Sequence, residues 1–185
     1  MAARVAPPPT WHRLPGGVPL LIRAAAPEDA AALLDYIEAV SRESDFLTFA
    51  PGEFALSVVA EAEVLRQYAE ASNQLYLLGL VEDAIAAVTI LSASTRARIR
   101  HCGELAMSVR RRYWGQGIGS LMLDTLITWA RATRIITKID LRVRADNQRA
   151  IRLYQRKGFR LEGTLRREMR VGEEYFDNHC LGLEL

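Results

Sequence analysis

The stretch Trp114-Gly-Gln-Gly-Ile-Gly119 decides the fold of this chain. It follows an apolar, strand-like run over residues 104–109 and opens onto a helix-like run over residues 120–132. Glycine has no Cβ, so the backbone here can adopt positive φ and bring its N–H groups close to a ligand. Added to the free donors of a helix N-terminus, these groups form an anion site. The stretch therefore predicts a strand, a glycine loop and a helix that hold phosphate.

Two well-known nucleotide motifs fit this loop poorly. A P-loop needs a lysine after its last glycine, and the two lysines of the chain are Lys138 and Lys157. A dinucleotide fingerprint needs a third glycine where this chain has Ser120, and it belongs to an early strand of a parallel sheet. A nucleotide-binding fold therefore remains only as a rival that uses the same glycines.

A second motif lies about thirty residues further on. It reads Asn147-Gln-Arg-Ala150-Ile-Arg-Leu153-Tyr154-Gln-Arg-Lys-Gly158-Phe159. Together with the glycine loop, in this order and at this spacing, it resembles the GNAT superfamily of acyl-CoA-dependent N-acyltransferases. The resemblance covers residues 20–185 and is sharpest over 104–165. With a tryptophan at position 114, the loop resembles that of the branch of ribosomal-protein alanine acetyltransferases.

The predicted fold class is α/β. Apolar periodicity gives the order β-α-α-β-β-β-α-β-α-β-β, which indicates a mixed sheet with mostly antiparallel strands. The resemblance implies a sheet of six to seven strands flanked by about four helices. It also implies that the strands at 104–109 and 138–143 splay apart to admit the cofactor.

The resemblance implies acetyl-CoA as co-substrate and no metal. The backbone of the strand that ends at Val109 would bind the pantetheine arm, and the glycine loop would bind the pyrophosphate. Asn147 would contact the pantetheine, Ala150 would keep the helix surface low beside it, and Tyr154 would point its hydroxyl at the thioester sulfur. The expected cofactor-binding residues are Met107, Ser108, Val109, Trp114, Gly115, Gln116, Gly117, Ile118, Gly119, Ser120, Asn147, Ala150 and Tyr154.

The implied reaction is the transfer of an acetyl group to a primary amine by direct attack in a ternary complex. The amine must be neutral to attack, so Glu104, where relatives often place a carboxylate, is the candidate base. Tyr154 is the candidate acid for the departing thiolate. Each residue has a simpler interpretation: Glu104 as a solvated strand residue or ion-pair partner, and Tyr154 as a core aromatic. A non-catalytic acyl-CoA-binding or regulatory module of the same fold is the alternative function.

Two groups of arginines have open roles. The three arginines at positions 110–112 either form a solvated turn or attract the phosphates of CoA. A second set lies on the helix predicted over 147–157 and is either solvated or in contact with the 3′-phosphate of CoA; it consists of Arg149, Arg152 and Arg156.

The acceptor site is predicted less closely than the cofactor site. In relatives the loop equivalent to residues 45–57 walls it, and here that loop carries Asp45, Phe46, Phe49 and Glu53. This lining suits a cationic amine, such as a polyamine, another small amino compound or a protein N-terminus. Alternatively, the two phenylalanines only anchor the loop to the core.

Composition limits the remaining choices. The chain of 185 residues is long enough for one domain, expected over 19–185, and the prolines at positions 7–9 predict a flexible tail over 1–18. A net charge of +2 does not by itself indicate a nucleic-acid partner. No stretch reaches the length of a membrane span. Cys102 and Cys180 are expected as free thiols in a reducing, cytoplasmic compartment, and a homodimer is consistent with the resemblance.

Overall fold

A mixed sheet of eight strands organises residues 6–185, the part of the chain that the computed structural model describes. Its strands are β1 Thr10–Arg13, β2 Pro19–Ala24, β3 Leu75–Val81, β4 Ala84–Ala93, β5 Cys102–Val109, β6 Lys138–Arg144, β7 Arg160–Val171 and β8 Glu174–Glu184. Four α-helices pack on it, namely α1 Ala30–Ser41, α2 Val58–Glu70, α3 Ile118–Thr133 and α4 Gln148–Arg156. None of these helices is both long and apolar enough to cross a bilayer.

The sheet has the order β1-β2-β3-β4-β5-β6-β8-β7. Neighbouring strands are antiparallel except β5 and β6, which are parallel. The predicted α/β class and mostly antiparallel sheet are confirmed. The predicted strand count of six to seven is one short, because β1 was not expected.

The prediction of a flexible tail over residues 1–18 is wrong for its second part. Residues 10–13 pair with β2, with Trp11 opposite Leu21, and the side chain of Leu14 is only 4% exposed in the core. Prolines exclude a helix, but they do not prevent an edge strand from following them. The packed unit therefore extends to residue 10, while residues 1–5 lie outside the described part of the chain.

Each face of the sheet carries its own apolar cluster. α3 and α4 cover one face, where the core includes Leu20, Leu77, Leu91, Met122, Leu126 and Ile139. α1 and α2 cover the other face, where Leu33, Tyr36, Leu65, Tyr76, Leu78 and Val88 pack together. Ser57 caps the start of α2, since its side chain accepts a hydrogen bond from the N–H of Ala60 at 3.2 Å.

The parallel pair β5–β6 opens partway along its length. The strands pair only where 102–104 meets 138–140, whereas β5 stays paired with β4 as far as Val109. Beyond Glu104 no strand within residues 6–185 lies beside the edge of β5 that faces β6. The predicted splay of these strands is confirmed, and the glycine loop lies at its open end.

Candidate functional site

Backbone N–H groups dominate the loop between β5 and α3. Gly115 and Gly117 have φ of 79° and 85°, and Gly117 caps α3 in the left-handed conformation. Within residues 6–185, no hydrogen bond occupies the N–H groups of residues 115–119. The next N–H, that of Ser120, already donates to the carbonyl of Gly117 at 3.0 Å. Five consecutive donors therefore remain at the N-terminus of α3, and Ser120 can add its hydroxyl.

The third glycine of the loop has a packing role. A Cβ on Gly119 would stand 3.2 Å from Cδ2 of Leu153 and 3.4 Å from Cε of Met107. The absence of a side chain therefore lets the first turn of α3 lie against both α4 and β5.

The open edge of β5 presents backbone groups to the splay. The N–H of Arg110 donates to the carbonyl of Ala86 on β4 at 2.9 Å. Because backbone groups alternate in direction along a strand, Met107 and Val109 turn theirs to the opposite side, toward β6. The carbonyl of Val109 is already taken by the indole Nε1–H of Trp114 at 2.7 Å. The N–H of Val109 and both groups of Met107 remain for a ligand.

Ser108 does not join this edge. Its backbone turns toward β4, and its Oγ forms a hydrogen bond with the hydroxyl of Tyr36 at 2.9 Å on the face under α1. The sequence analysis listed Ser108 together with Met107 and Val109. Sequence alone does not show which strand lies on each side of β5, so it cannot tell which backbone groups face the open edge.

The start of α4 forms the second wall of the cleft. The side-chain oxygen of Asn147 caps the helix by accepting from the N–H of Ala150 at 3.2 Å, which leaves its NH2 group for a ligand. Ala150 is half-buried against the core beneath α3 and α4.

Tyr154 lies in the last turn of α4. It is 7% exposed, and its ring meets Phe159 at a centroid distance of 5.7 Å. Burial raises the pKa of its hydroxyl to about 12, so the group keeps its proton at neutral pH. Among the described residues, none forms a hydrogen bond with that hydroxyl.

The arginines near the cleft are largely engaged by protein groups. Arg149 stacks on Trp114 with its Cζ 3.6 Å from the ring centroid, and desolvation lowers the pKa of Arg149. The guanidinium of Arg110 is held by Glu43 at 2.8 Å. Neither contact was predicted. Glu43 and Arg110, for example, are 67 positions apart in the sequence, so no local pattern indicates that they pair. A cleft of about 290 Å³ runs beside this stack, lined by Phe46, Trp114, Asp146, Asn147, Gln148 and Arg149.

The loop after α1 is fixed by Arg144. This side chain lies between the rings of Phe46 and Phe176, at 4.2 and 4.0 Å from their centroids. It also donates to the carboxylate of Asp146 and to the carbonyl of Asp45. Of the two interpretations of the loop phenylalanines, anchoring therefore applies to Phe46, although its ring also lines the cleft.

The other two loop residues have structural partners. Phe49 packs against the cluster under α1 and α2, and Glu53 accepts from the N–H of Ala50 at 2.8 Å.

Glu104 stands at the paired end of β5, opposite Asp140, with its side chain exposed on the face toward α2. The thiol of neighbouring Cys102 donates to Asp140 at 2.8 Å. Burial and this carboxylate raise the pKa of Cys102 to about 11, so its thiol stays protonated. Within residues 6–185, no group of three His, Cys, Asp or Glu side chains is placed to hold a metal.

Comparisons with known proteins agree with this geometry. Residues 31–159 match the acetyltransferase (GNAT) family. A solved acetyltransferase of the GNAT family from Streptococcus pneumoniae is 36% identical, with a TM-score of 0.87 over 90% of this chain and 99% of that chain. The yncA protein of Salmonella typhimurium, solved with its cofactor acetyl-CoA, shares the fold at 16% identity, with a TM-score of 0.77 over 89% and 93% of the two chains.

A curated relative is the L-amino acid N-acetyltransferase AaaT of Escherichia coli K12. It is 25% identical over 105 residues, which are 57% of this chain and 65% of that protein. The family match covers well over half of the sequence and includes both the glycine loop and the Asn147 motif. The chain therefore belongs to the acetyltransferase (GNAT) family.

Proposed function

We propose that this protein is an acetyl-CoA-dependent N-acetyltransferase that transfers the acetyl group directly to a primary amine in a ternary complex. One observation carries the proposal: the five N–H groups of residues 115–119, which have no partner in the described part of the chain, stand beside the β5 edge that β6 leaves open. A helix N-terminus with free donors favours a pyrophosphate, and an open strand edge favours an amide-containing arm. CoA carries both groups on one molecule.

The residues of this chain divide the work between binding and proton transfer. Residues 115–119 and the hydroxyl of Ser120 hold the diphosphate, while Met107, Val109 and the NH2 group of Asn147 orient the arm. Acetyl-CoA supplies the acetyl group as an activated thioester. Positioning of the two substrates contributes most of the rate enhancement.

Tyr154 and Glu104 are the proposed catalytic residues. The hydroxyl of Tyr154 is protonated at neutral pH because burial raises its pKa, and it donates that proton to the departing thiolate. Glu104 accepts the proton of the amine, directly or through water, since its carboxylate is exposed on the face of β5 that α2 borders.

The acceptor is proposed as a small amine or a protein N-terminus. The name of the relative from Escherichia coli describes transfer to L-amino acids, which places its acceptors in the same class of primary amines. The free thiols of Cys102 and Cys180 suit a reducing compartment, for which we propose the cytoplasm, and a homodimer through an exposed strand edge fits the family.

Ligand binding and turnover test the proposal separately. Thermal unfolding is measured with acetyl-CoA, CoA, NAD and ATP, and CoA release is then followed against a panel of amines. We expect stabilisation by acetyl-CoA and CoA, and amine-dependent thiol release. Stabilisation by NAD or ATP alone would contradict CoA binding, and stabilisation by acetyl-CoA without transfer to any amine would indicate a non-catalytic acyl-CoA-binding module.

A further inference from the structure

A carboxylate without a partner lies beneath α2, where the proposed transfer does not use it. Glu61 is only 2% exposed, and its Oε2 is sealed from solvent with no hydrogen-bond partner among the described residues. Carboxylates are almost never buried unless they are paired. Desolvation accordingly raises the pKa of Glu61. A cation bound beside Glu61 would compensate the charge of this buried carboxylate.

Tyr76 of β3 links this carboxylate to two further tyrosines, Tyr36 of α1 and Tyr68 of α2. Glu61, Leu65 and Tyr68 fall on one stripe of α2 that faces the sheet, and the ring of Tyr68 meets Tyr76 of β3 edge-on at 5.4 Å. Burial first, and then the charges of Glu61, Tyr68 and Tyr36, raise the pKa of Tyr76. The four side chains therefore form one group, which we call the tyrosine cage.

The tyrosine cage lies on the same face of the sheet as the exposed side chains of β5. Tyr36 forms a hydrogen bond with Ser108 of β5 at 2.9 Å, and Tyr68 forms one with Ser92 of β4 at 2.5 Å. On this face β5 therefore leaves one exposed position, Ala106, between the two bridges.

The strand register sets the distance between Ala106 and the cage. Ala106 of β5 is opposite Ile90 of β4, and Ile90 is opposite Tyr76 of β3. Neighbouring strands lie about 4.8 Å apart, so the two spacings give a separation on the order of 10 Å. A group bound in the cage is therefore distinct from a group that reacts at the edge of β5.

We propose that Glu61 and the tyrosine cage bind a second ammonium group of the acceptor, so that the protein prefers linear diamines and polyamines over monoamines. A carboxylate supplies the counter-charge, and aromatic rings stabilise a desolvated ammonium through their faces. The occupied site would remove the cost of a buried carboxylate without a partner. This inference rests on the proposed function, because it assigns the acceptor of that reaction.

Kinetics with matched amines test the assignment. Butylamine and 1,4-diaminobutane are compared as acceptors for the wild type, for Glu61→Gln and for the control Glu63→Gln, whose parent residue is exposed on the same helix and paired with Arg66. We expect Glu61→Gln to raise the KM of the diamine about tenfold or more, as loss of one charged hydrogen bond predicts. The KM values of butylamine and acetyl-CoA should stay at the wild-type level, and Glu63→Gln should behave as the wild type does.

A binding measurement keeps the test independent of turnover. Thermal unfolding in 1,4-diaminobutane should show stabilisation of the wild type and of Glu63→Gln, and none for Glu61→Gln or Glu61→Met. Equal stabilisation of all four proteins, or an unchanged preference for the diamine in Glu61→Gln, would overturn the assignment. Wild-type protein that binds the diamine through Glu61 but transfers nothing would instead contradict the proposed transfer and leave the cage confirmed.

Discussion

The two halves of the cleft are built from different atoms. The half proposed to hold acetyl-CoA uses backbone groups, namely the N–H groups of residues 115–119 and the open edge of β5. The half proposed to hold the acceptor uses side chains, among them Glu61, Tyr68 and Arg144. Backbone groups are the same in every residue, so the first half depends on conformation, whereas the second depends on which side chains meet.

This difference predicts how each half responds to substitution. A change in the cofactor half should act through backbone conformation or through the proton of one buried hydroxyl, and it should affect every acceptor alike. A change in the acceptor half should alter the preference among amines and leave acetyl-CoA binding intact. The substitutions below test this separation, from the largest expected effect to the smallest.

Tyr154→Phe should have the largest effect. The variant keeps the ring contact with Phe159 and removes only the hydroxyl that is proposed to protonate the leaving thiolate. We expect kcat to fall by about 10²-fold or more, in the range of general acid catalysis, with the same loss for all amines and little change in the Kd of acetyl-CoA. Steady-state kinetics and titration calorimetry measure the two quantities. Wild-type kcat in this variant would remove Tyr154 from the mechanism.

Gly117→Ala tests the backbone half directly. Alanine at a left-handed position costs about 1–2 kcal/mol of stability, and relief of that strain would reorient the loop N–H groups. We expect the Kd of acetyl-CoA to rise about tenfold, the equivalent of one charged hydrogen bond.

Gly16→Ala is the matched control for this loop. Gly16 has φ of 83°, close to the 85° of Gly117, and a Cβ at either position meets no atom within 4 Å. Both variants should lose similar stability in urea unfolding, and only Gly117→Ala should lose affinity. Equal losses of affinity would show that general destabilisation, and not the loop geometry, controls binding.

The same difference explains what the sequence could predict. The glycine loop and the Asn147 motif are local, so short stretches of sequence were enough to carry the family resemblance, and that resemblance implied the fold class and the splay. The acceptor half joins side chains that lie far apart in the chain, such as Arg144 and Asp45, which are 99 positions apart. Neither the stack of Phe46, Arg144 and Phe176 nor the buried position of Glu61 has a local pattern that would announce it.

Two expectations depended on strand geometry that the sequence alone does not show. β1 was assigned to a tail because three prolines precede it, yet an edge strand needs only one partner, and here β2 supplies it. Ser108 was grouped with Met107 and Val109, although alternation turns its backbone toward β4. Both points concern neighbours in the sheet, which the strand order decides.

Arg144→Lys should have a moderate effect confined to the acceptor half. Lysine keeps the charge but loses the planar contact with both phenylalanines and the two-pronged pairing with Asp146. We expect a loss of about 1–3 kcal/mol in unfolding free energy and a several-fold higher KM for amines, with the Kd of acetyl-CoA unchanged.

Arg42→Lys is the control for the Arg144 variant. Arg42 pairs with Glu38 at the C-terminal end of α1, next to the loop that Arg144 fixes. Both side chains of this pair are exposed, so the substitution should change neither stability nor KM measurably. If the Arg144 variant weakened acetyl-CoA binding as strongly as amine binding, the two halves would not be separable.

The pH dependence of stability should give the smallest effect, through Glu61. Burial raises the folded-state pKa of this carboxyl above 4.5, its ordinary value, so the folded protein binds more protons than the unfolded chain in the window above pH 4.5. Stability from this group is therefore present below that pH and is lost as pH rises. Tyr76 of β3 lies close enough to feel the charge of Glu61, and Tyr36 of α1 and Tyr68 of α2 lie around Tyr76. Burial raises the pKa values of Tyr36 and Tyr76.

Glu61→Gln should therefore gain stability relative to the wild type as pH rises from 4 to 7. We expect a gain of about 1 kcal/mol, since a neutral amide costs less to bury than an unpaired carboxylate. Urea unfolding of both proteins at several pH values measures it, and 1,4-diaminobutane should reduce the difference by stabilising only the wild type. A difference that does not vary with pH would mean that the carboxylate is as well solvated in the folded protein as in the unfolded chain, and that no unpaired charge awaits a ligand in the acceptor half.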